Sequence, residues 1–166
     1  TRGEDSEALS ALLATMGFSK VGEHISKKVT LWQQGEIRIV LNHETSGFAS
    51  SAYAMHGTTI CDIGLKVTSA SDTVARAVAL AATPFNQPVG PGELDIPAIR
   101  SVGGSVMHLI DEQSGLSEVW SVEFRPVGEP AKPAAGPSGV AHVAATMSYD
   151  EMRSRALIYA TNFAMV

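Results

Sequence analysis

A repeated pattern, one amphipathic helix followed by three short strands, constrains this chain more than any other feature of its sequence. Apolar residues at i, i+3, i+4 and i+7, starting at Leu9 and at Val74, predict helices over residues 6–16 and 71–82. Segments with strand-like composition follow each helix, at residues 20–25, 29–33 and 37–42, and then at 99–102, 105–110 and 119–124. An extended apolar strand over residues 58–67 precedes the second helix. Such a repeat predicts paired modules that curl a mixed sheet around a cleft.

The ends of the two helices carry recognisable capping residues. Asp5 or Ser6 is expected to cap the first helix, and Gly17 is expected to stop it. Ser69 and Asp72 have the spacing of a capping box at the start of the second helix. Gly103-Gly104 is a plausible hairpin turn between two of the later strands.

A third copy of the repeat begins near the end of the chain. Residues 140–146 predict its opening strand, and a capping box at Ser148 and Glu151 predicts its helix. We therefore expect a first module at residues 1–125 without its opening strand, and a second, truncated module at 139–166. Residues 126–138, rich in Pro, Gly and Ala, are expected to form an extended linker between them. On this interpretation the chain is a piece of a longer protein that continues beyond Val166.

Composition excludes several classes of function. The chain has 45% hydrophobic and 17% charged residues and a net charge of −5, which is typical of a globular protein and disfavours nucleic-acid binding. Cys61 is the single cysteine, so no internal disulfide is predicted. No apolar run reaches the roughly 20 residues that a membrane span needs. We expect a cytoplasmic protein that acts on a small molecule and contacts neither membrane nor nucleic acid.

Several motifs resemble a known family. The segments VTLWQQGEI at residues 29–37, VLN at 40–42, HG at 56–57 and CDIGLKV at 61–67 resemble the first vicinal-oxygen-chelate module of 4-hydroxyphenylpyruvate dioxygenases. The segments GVAHVA at residues 139–144 and MSYDEM at 147–152 look like the start of the metal-bearing module in bacterial two-domain 3-dehydroshikimate dehydratases. The resemblance implies an α+β fold of paired βαβββ modules of the glyoxalase, bleomycin-resistance and dioxygenase type.

The resemblance also implies a metal ligand. Such families hold one divalent metal (Mg, Mn, Co or Fe(II)) with two His and one Glu, which leaves coordination positions open for a chelating ligand. His142 matches the first of these ligands. The other two would lie beyond Val166, so this chain alone is expected to be inactive. The alternative is that His142 is an ordinary strand histidine with a polar neighbour.

The remaining candidate residues have more ordinary interpretations. His108 shares a strand face with Val106 and Ile110, which favours a packed histidine directed towards the cleft of the first module. Asp62 and Glu123 occupy positions where a metal-competent module would place ligands, although solvated carboxylates are the simpler interpretation. Ordinary polar roles are expected for the other three histidines, which are His24, His43 and His56. Cys61 has no paired base in view, so nucleophilic chemistry is not expected.

Three functions follow from these observations. The first is the dioxygenase-like region of a 3-dehydroshikimate dehydratase, a lyase of quinate and shikimate catabolism that forms protocatechuate in an upstream barrel domain. The second is an iron-dependent 4-hydroxyphenylpyruvate dioxygenase of tyrosine catabolism. The third is a non-catalytic binding or dimerisation module. Homo-oligomerisation is compatible with all three.

Overall fold

We describe the fold from a computed structural model, which covers residues 1–129, 137, 139–144, 146 and 148–163. The helices are α1 (Gly3–Thr15), α2 (Gly47–His56), α3 (Ala70–Ala79), α4 (Val119–Val122) and α5 (Tyr149–Phe163). The strands are β1 (Ser19–His24), β2 (Val29–Gln34), β3 (Ile37–Asn42), β4 (Asp62–Lys66), β5 (Pro84–Phe85), β6 (Ala98–Arg100), β7 (Val106–Ile110) and β8 (Phe124–Pro126). Among the described helices, none combines the length and the apolarity that crossing a membrane requires.

The chain divides into two compact units, each built on its own four-stranded sheet. The first unit comprises Thr1–Thr59, Gly90–Glu93 and Trp120–Val143, and its sheet has the order β3-β2-β1-β8. All three strand pairs in this sheet are antiparallel. The second unit comprises Ile60–Val89, Leu94–Val119 and Ala144–Val166, with the sheet order β4-β7-β6-β5. In this second sheet β4 and β7 are parallel and the other pairs are antiparallel, which gives the mixed sheet that the repeat predicted.

In the first unit, α1 packs Leu9 and Leu13 against the sheet, whereas Leu12 and Met16 of its predicted stripe are exposed. Leu13 is 4% exposed and lies in a core cluster with Phe18, Ile37 and Leu41. The helix ends where expected, since Gly17 has a φ of 94° and the Phe18 N–H returns to the carbonyl of Leu13. Its start differs from the prediction, because the helix begins at Gly3 and neither Asp5 nor Ser6 occupies the capping position.

A glycine in β1 allows the last strand of the first sheet to come close. A Cβ on Gly22 would lie 3.0 Å from the Cβ of Phe124 and 3.5 Å from that of Leu31. The register of β1 against β2 also shifts between Lys20 and Gly22, which indicates a bulge at this point. The missing side chain therefore lets β8 pair with β1, although residues 119–126 lie far from β1 in sequence.

In the second unit, α3 and α5 cover the face of the sheet opposite the exposed residues of β4. Ala77, Ile99 and Met107 are almost fully buried in one cluster, and Tyr159 and Phe163 of α5 pack against it. The predicted third helix thus packs part of its apolar surface in this unit. As expected, α3 begins with a cap, since the Ser69 hydroxyl accepts the backbone N–H of Asp72.

Four segments differ from the sequence prediction. Helix α2 was not predicted at all, and residues 119–122 form a short helix where a strand was expected. Residues 140–144 form no strand, because none of the described strands lies beside them to accept their backbone hydrogen bonds. The expected linker begins later than residue 126, since Pro126 belongs to β8 and the Val127 N–H donates to the carbonyl of Val21. Most of the rest of the linker, residues 130–136 and 138, lies outside the described residues.

Candidate functional site

The residue with the strongest sequence case for metal binding, His142, is exposed and lies outside regular secondary structure. The described residues contain no group of three or more His, Cys, Asp or Glu side chains placed to hold a metal ion. A two-His, one-carboxylate site therefore cannot be assembled from the described part of the chain. The assignment of His142 as a metal ligand stays a prediction.

The structure brings His24 and Glu123 together, although they are 99 residues apart in sequence. Their side chains are 5% and 10% exposed, and Nε2 of His24 lies 2.9 Å from Oε2 of Glu123. Nδ1 of His24 lies 3.2 Å from the backbone nitrogens of both Ser26 and Lys27, so it accepts hydrogen bonds. Nε2 of His24 therefore donates to Glu123, and both ring nitrogens are occupied. The expectation that Glu123 is solvated was wrong.

A second carboxylate of the first unit, Glu93, binds the turn that follows β1. Its side chain is 3% exposed and accepts hydrogen bonds from Nζ of Lys27 at 2.8 Å, from the backbone of Gly90 at 2.8 Å and from the hydroxyl of Ser26. Burial raises the pKa of Glu93, but these hydrogen bonds and the charge of Lys27 outweigh it and lower the pKa from 4.5 to about 2. The cluster fastens residues 90–93 to the turn after β1, which is a structural role.

A second histidine–carboxylate pair lies in the second unit and has a different form. Nδ1 of His108 on β7 lies 2.9 Å from Oδ1 and 2.8 Å from Oδ2 of Asp62 on β4. Because a carboxylate only accepts, Nδ1–H of His108 is the donor in this pair. Nε2 has no hydrogen-bond partner among the described residues. The prediction that His108 shares a face with Val106 and Ile110 agrees with the register of β4 against β7.

An aromatic ring, a guanidinium group and a thiol lie near this pair or next to it in sequence. The edge of the Phe85 ring faces the imidazole of His108, with centroids 6.3 Å apart, and the Arg100 guanidinium lies over the Phe85 ring. Cys61 precedes β4, and burial together with the nearby Asp62 carboxylate raises the pKa of its thiol. A protonated thiol is a poor nucleophile.

The sequence prediction named the members of both pairs but missed the pairing itself. Strand alternation identifies the face on which His108 lies, whereas its contact with Asp62 depends on the parallel register of two strands that are not consecutive. The partners of Glu93 were missed altogether. An acidic residue within a Pro/Gly-rich loop gives no signal that distinguishes it from a solvated one.

Two mixed α/β units, each with a helix-covered four-stranded sheet, define the class: this is the α+β fold of paired βαβββ modules, of the vicinal-oxygen-chelate type. Residues 2–125 match the family described as hydroxyphenylpyruvate dioxygenase (HPPD), N-terminal. The chain belongs to this family.

Curated relatives include two kinds of enzyme. A 4-hydroxyphenylpyruvate dioxygenase from Pseudomonas sp. (strain P.J. 874) is 37% identical over 116 residues, covering 70% of this chain and 32% of the relative. A 3-dehydroshikimate dehydratase from Pseudomonas putida is 31% identical over 151 residues, covering 91% of this chain and 24% of the relative. One from Pseudomonas aeruginosa is 32% identical over 155 residues, which is 93% of this chain and 24% of the relative. The chain thus spans between about a quarter and a third of these relatives.

Solved structures give the same picture. A xylose isomerase-like TIM barrel/4-hydroxyphenylpyruvate dioxygenase fusion protein matches all of this chain with a TM-score of 0.88 and 28% sequence identity, and the match covers 26% of that protein. A variant of 4-hydroxymandelate synthase from Streptomyces coelicolor matches 98% of this chain with a TM-score of 0.74 and 18% identity, covering 49% of that protein. At that identity the second match supports the fold alone.

Proposed function

We propose that this chain is the dioxygenase-like region of a two-domain 3-dehydroshikimate dehydratase, in which an upstream barrel domain converts 3-dehydroshikimate to protocatechuate. The observation that carries the proposal is the extent of the similarity. The matches to the dehydratases extend over 91% and 93% of the chain, whereas the match to the Pseudomonas sp. dioxygenase covers 70%. The match to a barrel–dioxygenase fusion protein over the whole chain supports the same arrangement.

The second candidate is an iron-dependent 4-hydroxyphenylpyruvate dioxygenase. It is favoured by the highest identity among the relatives described above, 37%, and by the family match over residues 2–125. The sequence upstream of Thr1 separates the two candidates, since a barrel of typical size needs roughly 250 residues.

Within this proposal, His142 supplies one ligand of a divalent metal whose other ligands come from further residues of the parent protein. The bound metal would act as a Lewis acid that polarises a chelated oxygen of the ligand. The described residues offer no complete set, so no chemical step can be assigned to them. An exposed imidazole outside regular structure is suited to this role only if further parts of the parent protein hold it in place.

The test uses the full-length parent and its His142→Ala variant, with His56→Ala as the matched control because His56 is also exposed. Bound metal and turnover of 3-dehydroshikimate are measured for each protein. We expect His142→Ala to lose one metal equivalent and to keep its dehydratase turnover, while His56→Ala keeps both. Unchanged metal content would contradict the ligand assignment, and a parent that does not dehydrate 3-dehydroshikimate would contradict the proposed function.

A further inference from the structure

Helix α2 has little apolar contact with the rest of the first unit. Of its ten residues, Gly47–His56, Ala52 alone is buried, and Met55 is 75% exposed. The side chain of Ser46 makes no hydrogen bond that would cap the start of the helix. A helix of this length is marginal in water on its own. The helical conformation of α2 therefore depends on the contacts that dock it to its surroundings.

Polar side chains near the start of α1 provide the docking contacts of α2. The Tyr53 hydroxyl donates to Oδ2 of Asp5 at 3.0 Å, and the Thr58 hydroxyl lies 3.2 Å from the same oxygen. The Arg2 guanidinium donates to the hydroxyl of Ser50 and lies over the Tyr53 ring, 5.3 Å from its centroid. Contacts of this kind near a surface are individually weak, because water competes for each polar group. Water can therefore replace the groups that hold α2.

The docked position also leaves one buried polar group unsatisfied. Nε of Arg2 is buried and has no hydrogen-bond partner among the described residues. A buried N–H without an acceptor costs free energy, because it has lost water and gained no other partner. Since the guanidinium lies against Tyr53, release of α2 gives water access to this group. Arg2 thus opposes with one nitrogen the docking that it supports with another.

Glycines mark both ends of α2. Gly47 is its first residue and has a φ of 75°, and Gly57 follows its last residue with a φ of 69°. A Cβ at either position would meet no atom within 4 Å, so the surroundings leave room for the backbone to turn. Moving elements commonly use such end positions as hinges, because a few residues there absorb the change in φ and ψ.

We propose that α2 is a flap, which undocks from α1 and unwinds between Gly47 and Gly57 while the sheet of the first unit stays folded. Undocking breaks the contacts with Arg2 and Asp5, but it leaves the core cluster around Leu13 intact. Such local opening needs far less free energy than unfolding of the whole unit. The first unit therefore has two forms, which differ in whether α2 covers the start of α1.

Hydrogen exchange of the full-length parent tests the flap, when it is followed at urea concentrations below the unfolding transition. Amides of α2 are expected to exchange at least about tenfold faster than those of α1. Low urea should leave the α2 rates nearly unchanged, because local opening exposes little new surface. If α2 exchanges at the rate of α1 and with the same dependence on urea, it opens only when the unit unfolds, and the proposal is overturned.

A pair of tyrosine variants tests the docking contact itself. Tyr53→Phe removes the hydroxyl that donates to Asp5 and keeps the ring, so it is expected to speed exchange in α2 about fivefold and to leave α3 unchanged. Tyr149→Phe is the matched control, because Tyr149 is 75% exposed and lies on α5 of the second unit. Unchanged exchange of α2 in Tyr53→Phe, or an equal rise in both variants, would contradict the proposal.

Discussion

At the scale of single residues, Gln34 is the least satisfied group in the described core. Its side chain is fully buried, and neither its Nε2 nor its Oε1 has a hydrogen-bond partner among the described residues. Nε2 lies 2.8 Å from the position that a Cβ on Gly17 would take. A buried amide without partners costs about 1–3 kcal/mol relative to an apolar group of the same shape.

Replacing this amide with an apolar side chain of similar length is therefore expected to stabilise the protein. Gln34→Met should raise the free energy of unfolding by about 1 kcal/mol, measured by urea denaturation. Gln33→Met is the control, because the neighbouring Gln33 amide already donates to the carbonyl of Gly35. A loss of stability in Gln34→Met would show that the amide is hydrogen-bonded in solution.

The two histidine–carboxylate pairs show how far residue-level prediction reaches. Strand alternation placed His108 on the correct face, whereas Asp62 and Glu123 were interpreted as solvated carboxylates. The contacts themselves depend on strand register and on the approach of β8 to β1, which Gly22 permits. Sequence periodicity reports the face on which a residue lies, but it does not report which distant strand lies beside it.

At the scale of elements, α3 depends on a carboxylate that lies outside the helix. Asp111 follows β7 and accepts the backbone N–H of Ala70 at 2.6 Å and that of Ser114 at 2.7 Å. The hydrogen bonds from Ala70, from the Ser114 side chain and from the Ser114 backbone lower the pKa of Asp111 from 3.8 to about 2. This residue joins the start of α3 to the turn after β7.

Removing this carboxylate should loosen the first turn of α3. In Asp111→Ala the amides at the start of the helix are expected to exchange with solvent at least about tenfold faster, because a charged hydrogen bond is lost. Hydrogen exchange followed by mass spectrometry measures the effect. Asp95→Ala, a change at an exposed aspartate of the same unit, is the control. Equal exchange in the two variants would contradict a capping role for Asp111.

Elements with strong periodicity were predicted, and those without it were not. Helices α1 and α3 and the three strands after α1 appear close to their predicted positions. Helix α2, with the sequence GFASSAYAMH, is dominated by small residues and carries no clear apolar stripe. Residues 119–122 form a four-residue apolar-rich run, and such short runs suit a strand and a helix equally. The outcome there is decided by tertiary packing, including the stacking of Trp120 on Phe124.

At the scale of the whole molecule, each unit is stabilised by a carboxylate whose pKa is lowered in the folded state. Glu93 in the first unit and Asp111 in the second each have a folded pKa of about 2, below their ordinary values of 4.5 and 3.8. Because the folded pKa lies below the unfolded one, their contribution is complete above about pH 4.5 and is lost as the pH falls towards 2.

The melting temperature should therefore fall steeply over this acid range. In Glu93→Gln we expect the free energy of unfolding at pH 7 to fall by about 2 kcal/mol, because a buried carboxylate paired with a lysine is lost. The same variant should show a flatter loss of melting temperature between pH 4.5 and 2 than the unsubstituted protein. Circular dichroism melts at several pH values measure both effects. Parallel pH curves for the two proteins would contradict the assigned role of Glu93.

Two four-stranded sheets leave four outer strands in the described part of the chain: β3 and β8 in one sheet, and β4 and β5 in the other. Outer strands can recruit strands from other molecules, which leads to aggregation. Here β5 begins with Pro84 and β8 ends with Pro126, and proline offers no N–H to a passing strand. Both proline-bearing strands are also short, since β5 has two residues and β8 has three. Strand β4 instead carries charged side chains at Asp62 and Lys66. The charges on the exposed face of β4 thus act against pairing of this edge with a strand of another molecule.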